Sequence, residues 1–166
     1  EDSWGSTYID AIDTAFLIAG IQGISIFVSS GDDGSWGRGH ATYAPSLCYP
    51  GVSPYVTSVG GTLLTIDTAT NAIVSEVVWN DVGQSGGGTS TYYTSVPSYQ
   101  QGLTYTTYPD SVVHPVTVRS TPDVAANASP YSGYEYYANG QFQPGIGGTS
   151  AAAPLWAGIV AVIKGA

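Results

Sequence analysis

Ser150 stands at the end of the Gly-rich run Gly147-Gly148-Thr149 and at the head of the apolar stretch Ala151 to Ile163. A hydroxyl delivered to a helix start is available as a nucleophile, and the local dipole favours negative charge developing beside it. The paired glycines leave room for a second backbone to approach, as a peptide substrate must. Pro154 falls in the first turn of the expected helix, where a missing N–H costs little. A serine that merely caps the helix has the same features, so local sequence leaves both readings open. The second candidate is Asp32, in the turn Ser29-Ser30-Gly31-Asp32-Asp33-Gly34. It follows an apolar run that reads as a buried strand, and open α/β sheets place their reactive groups at such carboxyl ends. The alternative is a turn aspartate ahead of Gly34.

The other titratable residues offer less. His40 and His114 both lie in Gly/Pro-containing stretches and read as loop histidines. Asp10 and Asp13, three residues apart on the first expected helix, imitate a carboxyl dyad but read as a solvated face. Cys48 is the sole cysteine, so no disulfide forms within the chain; it reads as a packed thiol, with a bridge to another chain as the alternative. Gly86-Gly87-Gly88 lacks the spacing of a phosphate loop. Asn127-Ala128-Ser129 is a formal glycosylation sequon, weakened by Pro130 after it.

Apolar residues Ile9, Ile12, Phe16 and Ala19 recur at helical spacing and predict a helix over Ser6 to Ala19, started by Asp2 or Ser3 and ended by Gly20 and Gly23. Ile24 to Val28 predicts a strand covered on both faces, and Tyr55 to Val59 a second strand. Leu63 to Ile66 and Ile73 to Val78, flanking Asp67 to Asn71, predict a hairpin. Tyr134 to Tyr137 and Gln141 to Gln143 predict another, turned by Asn139-Gly140. Between Asp81 and Pro122 the pattern dissolves, but the many tyrosines argue for an ordered surface excursion and not a tether. The last helix is expected over Ser150 to Ile163. Helix followed by buried strand predicts an α/β fold on a parallel sheet.

With 3 Lys+Arg against 12 Asp+Glu and a formal net charge of −9, the chain cannot neutralise phosphates. Nucleic acid and anionic membrane surfaces are excluded as partners on that ground. Near pH 4 much of the self-repulsion would be relieved, which suits a secreted protein or an acidic, lysosome-like compartment. At 166 residues there is room for one core. The absence of methionine, even at position 1, predicts a processed or truncated chain.

Several ordered blocks resemble one family. Gly147-Gly148-Thr149-Ser150-Ala151-Ala152-Ala153-Pro154-Leu155 is similar to the nucleophile motif of subtilisin-like serine peptidases in its sedolisin, or serine-carboxyl peptidase, form. Ser30-Gly31-Asp32-Asp33-Gly34 resembles the family's Ser-Gly-Asp-Ser-Gly turn, with Asp33 in place of its second serine. Tyr49-Pro50 with Ser53 to Thr62, Ser85 to Ser90 with Pro97 to Gln100, and Arg119 with Pro122 to Ala128 match further blocks in order. The resemblance runs from Glu1 to the last residues.

It implies a subtilisin-like parallel sheet flanked by helices, incomplete here, with residues 1–166 forming the central and C-terminal part of a catalytic domain. It implies an acid-acting peptidase with Ser150 as nucleophile and Asp32 as an oxyanion donor, a task only a protonated carboxyl performs. The family's base is a glutamate oriented by an aspartate, on a helix expected upstream of Glu1, so companion chains of the same precursor are expected partners beside the peptide substrate. Calcium is expected for the complete domain, with ligands beyond this chain. Asp123 is expected to serve as a structural hydrogen-bonding group near the active-site floor. Two rival readings stand beside this one. One is a non-catalytic module binding peptides or carbohydrate through its 13 Tyr and 4 Trp, and the other a neutral-pH peptidase with His40 or His114 as base.

Overall fold

The structure, a computed structural model, describes residues 5–36, 46–107 and 110–165. Its elements are α1 (Ser6–Ile21), β1 (Phe27–Ser29), β2 (Thr57–Ile66), β3 (Ile73–Val78), β4 (Gly88–Thr89), β5 (Thr104–Thr106), β6 (Val113–Pro115), β7 (Ser120–Thr121), β8 (Val124–Asn127), β9 (Tyr134–Ala138), β10 (Gln141–Ile146) and α2 (Thr149–Gly165). The fold is α/β. Strand β2 is its axis: β1 pairs parallel to it with Phe27 opposite Thr57, and β8 pairs parallel on the other side with Val59 opposite Val124. Strand β3 closes an antiparallel hairpin on the far half of β2.

Small residues let α2 lie close on this sheet. Ala152 and Ala153 meet Val59 in the core, with Phe27, Val124, Ala126 and Trp156 packed around them. The helix is pinned at two further points. Trp156 Nε1 donates to the Ala125 carbonyl at 2.9 Å, and Lys164 Nζ donates to the Gly23 carbonyl and Ser25 Oγ at the entrance to β1.

Both expected hairpins form. In the second, Asn139 (φ 53°) and Gly140 (φ 77°) supply the two left-handed residues that a tight turn needs. Other expectations shift. Helix α1 continues through Gly20 to Ile21, and β1 begins three residues later than Ile24, which is exposed with Ser25. The expected start of α1 at Asp2 or Ser3 lies outside the described residues. The strands expected at Tyr55 to Val59 and Leu63 to Ile66 are one, β2, which begins at Thr57 and leaves Tyr55 and Val56 in the turn before it. Gly60 and Gly61 do not break it, because they serve close packing: a Cβ would lie 2.6 Å from Pro122 Cγ at the first and 2.6 Å from Ala128 Cβ at the second.

Asp13 is not on a solvated face. It is buried, accepting from Ser53 Oγ at 2.7 Å, Tyr93 Oη at 2.7 Å and Tyr49 Oη at 3.3 Å. Burial, together with the neighbouring Asp13 charge, pushes both tyrosine hydroxyls well above their ordinary range, so they remain donors. Tyr92 Oη likewise donates to Asp10. The tyrosines of the 81–122 excursion thus hold it against α1.

Candidate active site

The loop after β1 and the turn before α2 meet at the carboxyl end of the sheet, and there Asp32 meets Thr149, the residue before Ser150. Asp32 Oδ1 accepts from the Thr149 backbone N–H at 2.8 Å and from Thr149 Oγ1 at 2.7 Å. Gly31 N–H donates to the same threonine oxygen at 3.2 Å. Ser150, the next residue, is exposed, and no described side chain hydrogen-bonds its hydroxyl.

This arrangement overturns the capping reading of Ser150. The helix already begins at Thr149, and the carboxylate oxygen that receives its first N–H belongs to Asp32. The Gly148 carbonyl takes the Ala151 N–H at 2.9 Å. Pro154 is correspondingly the sixth residue of α2, in its second turn and not its first. Its missing N–H falls opposite the Ser150 carbonyl, the position four residues back.

Each loop is braced by a distant segment. Gly86 N–H donates to the Gly31 carbonyl and Gln84 N–H to the Asp32 carbonyl, both at 2.8 Å, while Gly34 N–H returns to Gln84 at 3.0 Å. Gly86 must be glycine, since a Cβ there would lie 2.2 Å from the Ser30 carbonyl oxygen. The Cys48 thiol packs beside Gly31, 2.9 Å from where a Cβ on that glycine would stand. The turn before α2 is held by Ala128, whose carbonyl accepts from Gly148 N–H at 2.7 Å. The space at Gly147 and Gly148 is therefore filled by the chain itself and not kept for a substrate backbone. A Cβ would meet the Ala128 oxygen at 2.4 Å at the first, and Asp32 Oδ2 at 2.9 Å at the second.

Other candidates fall elsewhere. His114 is stacked on Tyr105 in the β5–β6 hairpin, with Thr107 Oγ1 3.4 Å from Nε2. His40 lies outside the described residues. Asn127 is buried, donating from Nδ2 to the Ser132 carbonyl at 2.6 Å and accepting from the Leu64 N–H, which removes it as a glycan acceptor in the fold. Asp123 does have a structural role. Its carboxylate takes both terminal nitrogens of the fully buried Arg119, Nη2 to Oδ2 at 2.7 Å, together with Gln100 Nε2 and the Ser58 N–H at 2.8 Å each. An open groove of about 490 Å³ lies between α1 and the amino ends of β1 and β2, lined by Phe16, Leu17, Ile21, Ile26, Val56 and Tyr99; none of its lining residues belongs to the Asp32–Ser150 junction.

Two positions that build this junction carried no chemical signal in the sequence. Thr149 was visible only as part of the nucleophile motif, and Gly86 only as one of three glycines.

The sequence model of the subtilase family (Peptidase_S8) matches residues 1–166. Kumamolisin of Bacillus sp. (strain MN-32) is 40% identical over 168 residues, and tripeptidyl-peptidase 1 of Rattus norvegicus 36% over 174; each alignment covers 99% of this chain. Among solved structures, Pseudomonas sedolisin, a serine-carboxyl proteinase complexed with two molecules of pseudo-iodotyrostatin, superposes with a TM-score of 0.74 at 34% identity, over 96% of this chain and 44% of that one. The chain spans 29% of the length of these two curated relatives. A match over the whole chain and a shared sheet make it a member of the subtilase family, within the sedolisin branch.

Proposed function

We propose that the chain is the central and C-terminal part of the catalytic domain of a serine-carboxyl peptidase that hydrolyses peptide bonds at acid pH. The observation that carries this reading is the seating of the Asp32 carboxyl on Thr149, one residue from the exposed Ser150 hydroxyl. Ser150 Oγ attacks the substrate carbonyl carbon, and its proton passes to a glutamate paired with an aspartate on a segment outside these 166 residues, in the same polypeptide or a companion chain of the precursor. The carbonyl π electrons move to oxygen, and the protonated Asp32 carboxyl donates a hydrogen bond to that oxyanion beside the positive end of α2. Collapse expels the amine, which takes the proton back, and leaves an acyl group on Ser150. Water then releases the acid by the reverse sequence. A glutamate base and a neutral aspartic donor both belong to acid pH, which suits secretion or an acidic, lysosome-like compartment.

No step of this mechanism runs through calcium. Among the described residues no group of three or more His, Cys, Asp or Glu side chains is arranged to hold a metal ion. Calcium for the complete domain, with ligands outside these 166 residues, is an expectation that rests on the family resemblance alone.

The test is hydrolysis of an unfolded protein by the complete enzyme, scanned from about pH 3 to pH 8 across the carboxyl and histidine ranges. Activity confined to the acid side and abolished in Ser150→Ala is expected. Asp32→Ala should lose about 10²–10³ in kcat, the worth of one oxyanion donor. Asp32→Asn should keep part of the rate and carry it to higher pH, since an amide donates without an added proton. An optimum near neutrality, or full activity in Ser150→Ala, would overturn the proposal.

A further inference from the structure

We infer that Thr149 is a positioning residue that decides which oxygen of Asp32 carries the donor proton. This rests on the oxyanion reading above and adds to it a specific atom. Thr149 is fully buried, and both of its donors converge on one carboxyl oxygen: the backbone N–H at 2.8 Å and the hydroxyl at 2.7 Å from Oδ1. The hydroxyl has a single proton. Its oxygen is occupied as an acceptor by the Gly31 N–H at 3.2 Å, which leaves that proton directed at Asp32. Oδ1 thus receives two hydrogens, and a third on the same atom would face them both. When Asp32 is neutral its proton belongs on Oδ2, which has no hydrogen-bond partner among the described residues.

Gly148 completes the device. Its φ of +85° carries the chain past Asp32, and Oδ2 lies 2.9 Å from where a Cβ would stand, so only a glycine leaves this oxygen open. The same logic fixes an amide. In Asp32→Asn the two Thr149 donors require the carbonyl oxygen at the Oδ1 position, which puts the NH2 where Oδ2 was.

The experiment compares Thr149→Val and Thr149→Ser in the complete enzyme, each with kcat and KM measured separately across the acid range. Valine keeps the shape and the backbone N–H but removes the hydroxyl. It should lower kcat roughly ten-fold, the scale of one hydrogen bond, with KM unchanged. Serine restores the hydroxyl and should restore kcat. Wild-type kcat in Thr149→Val, or a serine variant as slow as the valine one, overturns the inference. Asp32→Asn gives a readout that does not depend on the valine variant folding. NMR of its side-chain amide should show the Nδ2 protons close to the Gly148 α-protons; proximity to the Thr149 amide proton instead would overturn it. Wild-type rates in both Asp32→Ala and Asp32→Asn would refute the oxyanion reading itself, whereas a slow Asp32→Ala beside an unaffected Thr149→Val would refute only the role given to Thr149.

Discussion

Asp123→Ala tests what holds the buried cation of this fold. Arg119 is inaccessible to solvent, and its guanidinium faces the Asp123 carboxylate through both terminal nitrogens. Removing the carboxylate leaves a buried positive charge with only neutral acceptors, the carbonyls of Val52 and Ser120, and with the ring of Tyr99 5.6 Å away. Breaking a buried pair from one side costs about 3–5 kcal/mol. The Ser58 N–H and one Gln100 amide proton lose their acceptor as well, so the upper half of that range applies. Against a stability of about 5–15 kcal/mol for a typical domain, the loss is severe without being certain to unfold the protein. Urea unfolding of the purified enzyme followed by tryptophan fluorescence should show the midpoint fall, and thermal scans a drop of roughly 8–20 °C. Removing both charges together, Arg119→Met with Asp123→Leu, should recover much of the loss, because no uncompensated ion then remains. A cost below about 1 kcal/mol for Asp123→Ala would refute the argument and assign the work to the two carbonyls.

Gly148→Ala should abolish activity, because it combines a left-handed φ with a collision against Asp32 Oδ2, whereas Gly158→Ala, on an open helical face of α2, should stabilise the fold by about 0.5–1 kcal/mol; kinetics and urea melts on the two separate the effects. Asp13→Ala strips three hydroxyls of their shared acceptor and should cost at least about 2 kcal/mol in the same melts, with Tyr93→Phe costing less. Local desolvation tends to raise Asp81, but donation from Ser129, Val82, Trp79 and Gly83 outweighs it and holds the carboxyl below its ordinary 3.8; donors hold Asp67 and Asp110 below theirs too. A depressed folded value means that this stability is complete above pH 3.8 and is lost as pH falls through the folded values, so acid unfolding should be shallower in Asp81→Asn, and an unchanged acid limb would contradict it.

The elements that declared themselves in the sequence are those whose cause is local. The Asn139-Gly140 turn, the Ile73 to Val78 hairpin arm and the periodic α1 need no partner to be recognised. The errors lie where a distant segment decides. Asp13 looked like an exposed helix acid because its donors, Tyr49, Ser53 and Tyr93, sit 36 to 80 residues further on. Tyr55 to Val59 and Leu63 to Ile66 read as separate strands because Pro122 and Ala128, against which Gly60 and Gly61 pack, come from the two flanks of β8. Ser150 looked like a possible cap because nothing near it in sequence reveals that Asp32 already takes the first N–H of α2. The motif residues Ser150 and Asp32 were legible as candidates; the threonine that joins them was not.

That join closes a long loop, since Asp32 and Thr149 are 117 residues apart. Its consequence is temporal. As the chain leaves the ribosome, Asp32 emerges 117 residues ahead of Thr149 and has no seat until the turn before α2 has been made, so the two halves of the junction meet only after every strand between them is available. On the proposed chemistry, a nascent or half-folded chain therefore carries the nucleophile and the acid as separate, inert side chains. On that proposal the oxyanion donor takes its place only with the finished fold.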